Sequence, residues 1–307
     1  MGMAMRTKAL WRKYRRKVYK YADWLLYISG GFSVLFLLWI LLQVTTVAHF
    51  VVPTGSMEPT LIPGDRILVN KWLMGARVFD VWESMEGKEV EIHRLLGFEK
   101  IERNDVIVFN FPHHHRWDSI GMDILAYYVK RCVALPGDTF EIRNGYNQVR
   151  GYEGVLGNEE GQYTLSRLLS DDNPTKEKLL QGGFPDDERI GWNIGNFGPL
   201  YIPKEGSRVD MTVENALVYR KAIEWERKKK LRIQGDSVLL GDSLIREYTF
   251  LKNYYFTAGD NVLSSQDSRY WGLLPEEYIV GKATRIFRSV NKYTGKERWK
   301  RFLKKIE

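Results

Sequence analysis

With 307 residues, 44% of them hydrophobic, the chain has the length and apolar content for one or two folded domains with a sizeable core. The net charge of +8 does not describe a general basic surface of the kind that binds nucleic acid, because Arg6, Lys8, Arg12, Lys13, Arg15, Arg16, Lys17 and Lys20 account for all of it before the first acidic residue appears. Cys132 is the one cysteine, which excludes an intramolecular disulfide and a cysteine-based metal centre.

The basic tail, residues 1–23, runs into a stretch from Trp24 to Met57 with no Asp, Glu, Lys or Arg. Its apolar centre, residues 24–47, exceeds the roughly 20 residues that a helix needs to cross a bilayer. Trp11, Tyr14, Tyr19, Tyr21 and Trp24 stand where an interfacial aromatic belt is expected. A buried core helix would leave the basic preface unexplained. A cleaved signal peptide would have a shorter apolar region, about 7–15 residues, and Thr46-Val47-Ala48 is a poor cleavage site. The pattern predicts an uncleaved single-pass anchor with its N-terminus in the cytoplasm and the remaining chain outside.

Beyond the anchor, residues 48–143 read as closely spaced strands and turns. Residues 66–72 follow the Pro63-Gly64-Asp65 turn, residues 105–111 end at Pro112, and residues 126–133 end at Pro136-Gly137-Asp138. A further strand begins at Thr139. From 144 to 235 the texture turns polar and glycine-rich. Residues 174–180 predict a short helix, and residues 212–230 a longer one with Glu224/Lys228 and Glu226/Lys230 four apart. This segment reads as an inserted α/β subdomain. Strand character returns over 236–290. In the basic tail, 291–307, Trp299, Phe302, Leu303 and Ile306 share one helical face. Such a helix either lies on anionic lipid or caps the domain.

The junction after the anchor reads Pro53-Thr-Gly-Ser-Met-Glu-Pro-Thr-Leu61. It places Ser56 on a turn, with Gly55 allowing close backbone approach and two donors, the Thr54 hydroxyl and the Ser56 amide, available to one carbonyl oxygen. A serine nucleophile needs a base. His49 and His93 are poorly placed, and His113-His114-His115 reads as a solvated loop with no second group of metal ligands. Lysine is the alternative, provided that burial lowers its pKa from about 10.4. Lys130 shares a strand face with Tyr128 and Cys132 and has no carboxylate beside it in sequence.

At these residues the chain resembles the bacterial type I signal peptidases, membrane-bound Ser/Lys proteases. The resemblance covers residues 50–73, 104–111, 128–138 and 259–283, in the family's order and after its anchor. It implies a mainly β fold: an antiparallel catalytic domain carrying the inserted subdomain on one transmembrane helix. It also implies Ser56 as nucleophile, Lys130 as general base, and Thr54 with the Ser56 amide as oxyanion hole. Within Gly259-Asp-Asn-Val-Leu-Ser-Ser-Gln-Asp-Ser-Arg-Tyr-Trp-Gly272, it implies that Ser265 orients the lysine and that Asp267 and Arg269 form a structural ion pair. Phe50, Val52, Tyr128 and Val129 are the candidates for shallow pockets that accept small side chains. The chain departs from the family at Val262, where Arg is frequent, and at Cys132. The function implied is removal of signal peptides from exported pre-proteins, without metal or cofactor and without nucleic acid. The implied partners are membrane lipid and the secretion translocon, and the implied place is the inner membrane, with the catalytic domain on the periplasmic side. A specialised Ser/Lys peptidase, such as a pilin-maturation protease, and a non-enzymatic membrane-anchored binding protein are the alternative readings.

Overall fold

The computed structural model describes all residues except Met1, Thr46, 114–116 and 171–179, and within the N-terminal helix it describes the side chains of residues 19–40. The chain divides into two units, residues 1–47 and 48–307. The first unit is helix α1, Gly2–Thr45. Its stretch Tyr19–Ile40 has a mean hydropathy of 1.6 and none of it is buried by protein, so it is long and apolar enough to cross a membrane. A helix with apolar side chains exposed all round is stable only where lipid replaces water as its solvent.

The second unit is built on a seven-stranded sheet. Its strands are β1 (Val47–Val51), β2 (Asp65–Asn70), β3 (Val106–Phe111), β4 (Asp123–Ala134), β5 (Tyr254–Ala258), β6 (Leu274–Pro275) and β7 (Ile279–Ser289). In space they run β1-β2-β7-β3-β4-β5-β6, and the registered pairs are antiparallel. The central strand β3 is buried at every residue, and its alternation feeds two cores. Val106 and Val108 pack with Met57, Leu61, Ile67 and Ile286. Ile107 and Phe109 pack with Cys132, Tyr255, Trp271 and Leu274. Strands predicted at 66–72, 105–111 and 126–133 are present within a few residues, and β5, β6 and β7 fall in the 236–290 stretch where strand character was expected to return. The long strand β7, which joins β2 to β3, has a mixed burial pattern and two register shifts against β2, so its sequence carries no clean alternation.

Among the described residues, several of segment 144–235 pack into a core shared with the sheet. Leu156, Phe197, Leu200, Ala216 and Ile223 share one cluster with Val133 and Ala134 of β4 and Phe256 and Ala258 of β5. The predicted long helix is Val213–Arg227; Thr212 caps it by accepting from Asn215 N, and Lys228 ends it in the left-handed region at φ 54°. A second helix, α2 (Glu159–Ser170), was not anticipated. Its glycine-rich approach hides it: Gly151, Gly154, Gly157 and Gly161 read as loop. The short helix predicted over 174–180 falls almost wholly outside the described residues.

Two further expectations are corrected. His113 does not belong to a solvated loop. It is fully buried, with Nδ1 donating to Ser119 O at 2.6 Å and burial pushing its pKa down to about 4; His114 and His115 lie outside the described residues. The C-terminal segment does not form an amphipathic helix. It makes a single 3-10 turn at Trp299–Arg301 and then pairs with β7, where Ile286 N donates to Lys304 O and Ile306 N to Thr284 O. Arg301 reaches the fully buried Asp65 with two hydrogen bonds, 3.0 and 2.6 Å, and Ile306 enters the core. The segment straps the domain through Arg301 and Ile306, while Trp299 and Phe302 stay exposed.

Candidate active site

The turn after β1 is fixed at both ends before any chemistry enters. Val52 N donates to Asp65 O and Gly64 N to Val52 O, which ties the turn to the start of β2. Met57 and Leu61 are sunk in the core, and Leu61 N donates to Met57 O. Asn261 holds the turn from the other side: its backbone N donates to Ser56 O and its Nδ2 to Gly55 O, each at 3.1 Å. Ser56 is left half-buried with its hydroxyl facing β4.

On β4, Lys130 pairs in register with Ile107. It is 4% exposed, and its Nζ lies 2.6 Å from Ser56 Oγ. Burial lowers the lysine to about 8; Arg269 pushes in the same direction, and Asp267 and Asp260 oppose it. The lysine's surroundings therefore do contain carboxylates, brought by the 259–272 segment and not by β4. Both are already committed. Arg269 Nε and Nη2 donate to Asp267 at 2.8 and 2.7 Å, and Arg131 Nε and Nη2 donate to Asp260 at 2.7 Å each. Burial alone would raise Asp267, but the charge and hydrogen bonds of Arg269, with the Gly259 amide, outweigh it and hold the carboxylate below its ordinary range. Two neutralised pairs leave the amine without an ion-pair partner of its own, and the combination favours the uncharged base.

A cavity of about 380 Å³ opens over the pair, lined by every residue expected at the nucleophile, oxyanion and substrate positions: Phe50, Val52, Thr54, Ser56, Tyr128, Val129 and Lys130. Tyr127, Ser264 and Gln266 also line it and were missed. Tyr127 announces itself only through its ring contact with Phe50, 4.9 Å between centroids, which no local pattern encodes. Ser264 and Gln266 lay inside a quoted motif without a role of their own. Asp267 and Arg269 stand behind the cavity as the expected buried ion pair. Ser265 is also buried there, but its hydroxyl makes no hydrogen bond, so the orienting bond to Lys130 is not formed. Gly259 explains how closely this layer packs. A Cβ at that position would lie 2.1 Å from Ser265 Oγ and 2.5 Å from Ser56 O. Cys132, one turn of the pleat beyond Lys130, is fully buried with its thiol pushed well above its usual range, which makes it an inert packing residue.

The arrangement is a hydroxyl and a buried amine in hydrogen-bond contact at the floor of a cleft whose walls are mostly apolar. Comparison with known proteins bears on the family of the chain. The family described as "Signal peptidase, peptidase S26" matches residues 24–180 and 202–288. The Signal peptidase I of Pseudomonas fluorescens is 30% identical over 277 residues, 86% of this chain and 72% of that protein. The Signal peptidase I of Buchnera aphidicola subsp. Schizaphis graminum is 29% identical over 252 residues, 79% of this chain and 68% of that protein. The crystal structure of a signal peptidase I from Enterococcus faecalis V583 aligns at 20% identity with a TM-score of 0.29, over 61% of this chain and 98% of that one, a score too low to bear on the fold. With the family's description spanning well over half of its length, the chain belongs to the signal peptidases of peptidase family S26.

Proposed function

We propose that this serine endopeptidase removes signal peptides from exported pre-proteins through a Ser56/Lys130 dyad. The observation that carries the assignment is the 2.6 Å contact between Ser56 Oγ and the Nζ of a buried lysine. The neutral amine takes the hydroxyl proton as Ser56 Oγ attacks the carbonyl carbon of the scissile bond. The developing oxyanion is met by the Ser56 amide and the Thr54 hydroxyl. As the tetrahedral intermediate collapses, Lys130 returns the proton to the leaving amine. The resulting ester is hydrolysed by a water that the same amine activates. Phe50, Val52, Tyr128 and Val129 shape the adjoining walls, which suit the small residues of a signal-peptide cleavage site.

The anchor holds the domain at the inner membrane, with the N-terminal basic residues in the cytoplasm and the catalytic domain on the periplasmic side. Lipid is the partner assigned to the exposed aromatic group Phe287, Trp299 and Phe302. In that group Phe287 meets His49 at 5.5 Å and Phe302 at 6.5 Å between ring centroids. The secretion translocon, as the source of the pre-proteins, is the assigned neighbour. The test is cleavage of a purified pre-protein by full-length enzyme in detergent. Ser56→Ala and Lys130→Ala each abolish processing while leaving the melting temperature near that of the parent. Substantial processing by either variant refutes the dyad.

A further inference from the structure

We propose that helix α2 of the inserted segment is a positioning element for the active site, acting by pressing the 260–264 turn against the nucleophile loop and the lysine strand. The proposal rests on the dyad reading and goes beyond it, giving the insertion a task in the reaction.

The contact begins with a glycine where a helix disfavours one. Gly161 lies within α2, where glycine is a poorer helix former than alanine. A Cβ there would stand 2.9 Å from Asp260 O and 2.9 Å from Val262 Cγ2, and the backbone oxygen has no rotamer by which to yield. The missing side chain lets the helix seat directly on the turn. Around the contact, Leu165 and Ile194 form a small core with Val262, separate from the larger ones. Val262 is thus the apolar peg by which the turn is held. This accounts for a hydrophobic residue there in place of a charged one.

The helix that presses is itself held. Gly161 N donates to Asn158 Oδ1, and the buried Gln162 side chain accepts from Asn147 N and donates to Leu156 O, each at 2.7 Å. The turn that is pressed touches the site at three successive residues. Asp260 carries Arg131, the neighbour of Lys130. Asn261 carries the carbonyls of Gly55 and Ser56. Val262 O accepts from Arg269 Nη2 at 3.0 Å, joining the ion pair behind the lysine. Displacing the turn therefore moves the nucleophile loop and both neutralised pairs together. It also opens the packing that keeps water from Lys130.

The test compares Leu165→Ala and Gly161→Ala with Leu231→Ala in the full-length enzyme. Leu231 is buried in the main core of the same segment, away from this contact. The readouts are kcat and KM on a pre-protein, the pH-rate profile and the melting temperature. The two α2 variants lower kcat about ten- to a hundredfold with KM nearly unchanged, since small misplacements cost that much. They also move the acid limb of the profile upward by about half a pH unit or more as the amine regains water. Leu165→Met restores both, and Leu231→Ala loses thermal stability without moving the limb. If Leu165→Ala melts too low to assay, Leu165→Val is read in the same way. An unmoved limb in the α2 variants, or the same kcat loss in Leu231→Ala at equal loss of stability, overturns the proposal while an inactive Lys130→Ala leaves the dyad standing. Residual cleavage by Lys130→Ala overturns the dyad and this proposal with it.

Discussion

In the proposed dyad Lys130 decides the pH behaviour of the enzyme. The amine acts as a base when it is uncharged, and burial lowers its pKa to about 8. The sign follows: kcat/KM rises with pH through that value and levels off above it, because deprotonation creates the active form. A profile flat from pH 6 to 9 would contradict a lysine base. Lys130→Arg keeps the charge but supplies no base at any accessible pH, so it is inactive throughout. Thr54 lines the cavity on the nucleophile's own turn. Thr54→Val preserves its shape and removes one donor, for which the expected loss is about 10²–10³ in kcat with KM little changed. A wild-type rate in that variant would reduce Thr54 to a turn residue. Ser56, Lys130 and Thr54 were all singled out in the sequence, because each sits in a short run that the family resemblance covers, and the structure brings Ser56 and Lys130 into contact. The environment of Lys130 was not. The strand shows no carboxylate beside it, yet Asp267 and Asp260 arrive from more than a hundred residues away, each already paired with an arginine.

Among the elements, the C-terminal strap is the clearest case of one sequence pattern with two physical meanings. Apolar residues at helical spacing among lysines fit a helix on lipid and a helix on protein equally well. The backbone instead pairs with β7, and the decisive group is the Asp65 carboxylate, fully buried and bonded by Arg301. Arg301→Ala leaves that carboxylate buried without its cation, which costs about 3 kcal/mol and lowers the melting temperature by roughly 6–12 °C. Calorimetry checks this, and an unchanged transition would mean that the Ile62 amide, which also donates to Asp65, suffices alone. Helix α2 was overlooked for a related reason. Gly161 counts against a helix in any local reading, and its justification is the backbone of residue 260, a contact no window of sequence contains.

For the whole molecule, the division into an apolar N-terminal helix and a β domain fixes what topology must be tested. With the basic tail inside, protease added to spheroplasts digests residues 48–307 and spares the N-terminal tail, as epitopes at the two ends would report. Protection of the large domain, with digestion only after lysis, would reverse the assigned orientation. The sequence by itself determined the long apolar N-terminal segment, the order of the blocks and the family resemblance that singles out Ser56 and Lys130. These are one-dimensional signals: a long uncharged run, strand-length apolar segments between turn residues, and reactive side chains in compact motifs. The tertiary structure alone decided that Lys130 Nζ meets Ser56 Oγ, that Ser265 makes no bond to the lysine, that His113 is buried, and that residues 144–235 share the catalytic core and reach its supporting turn through α2. Periodicity states which face of an element is apolar. What covers that face, and which distant polar groups are drawn in beside it, is set by long-range register and packing.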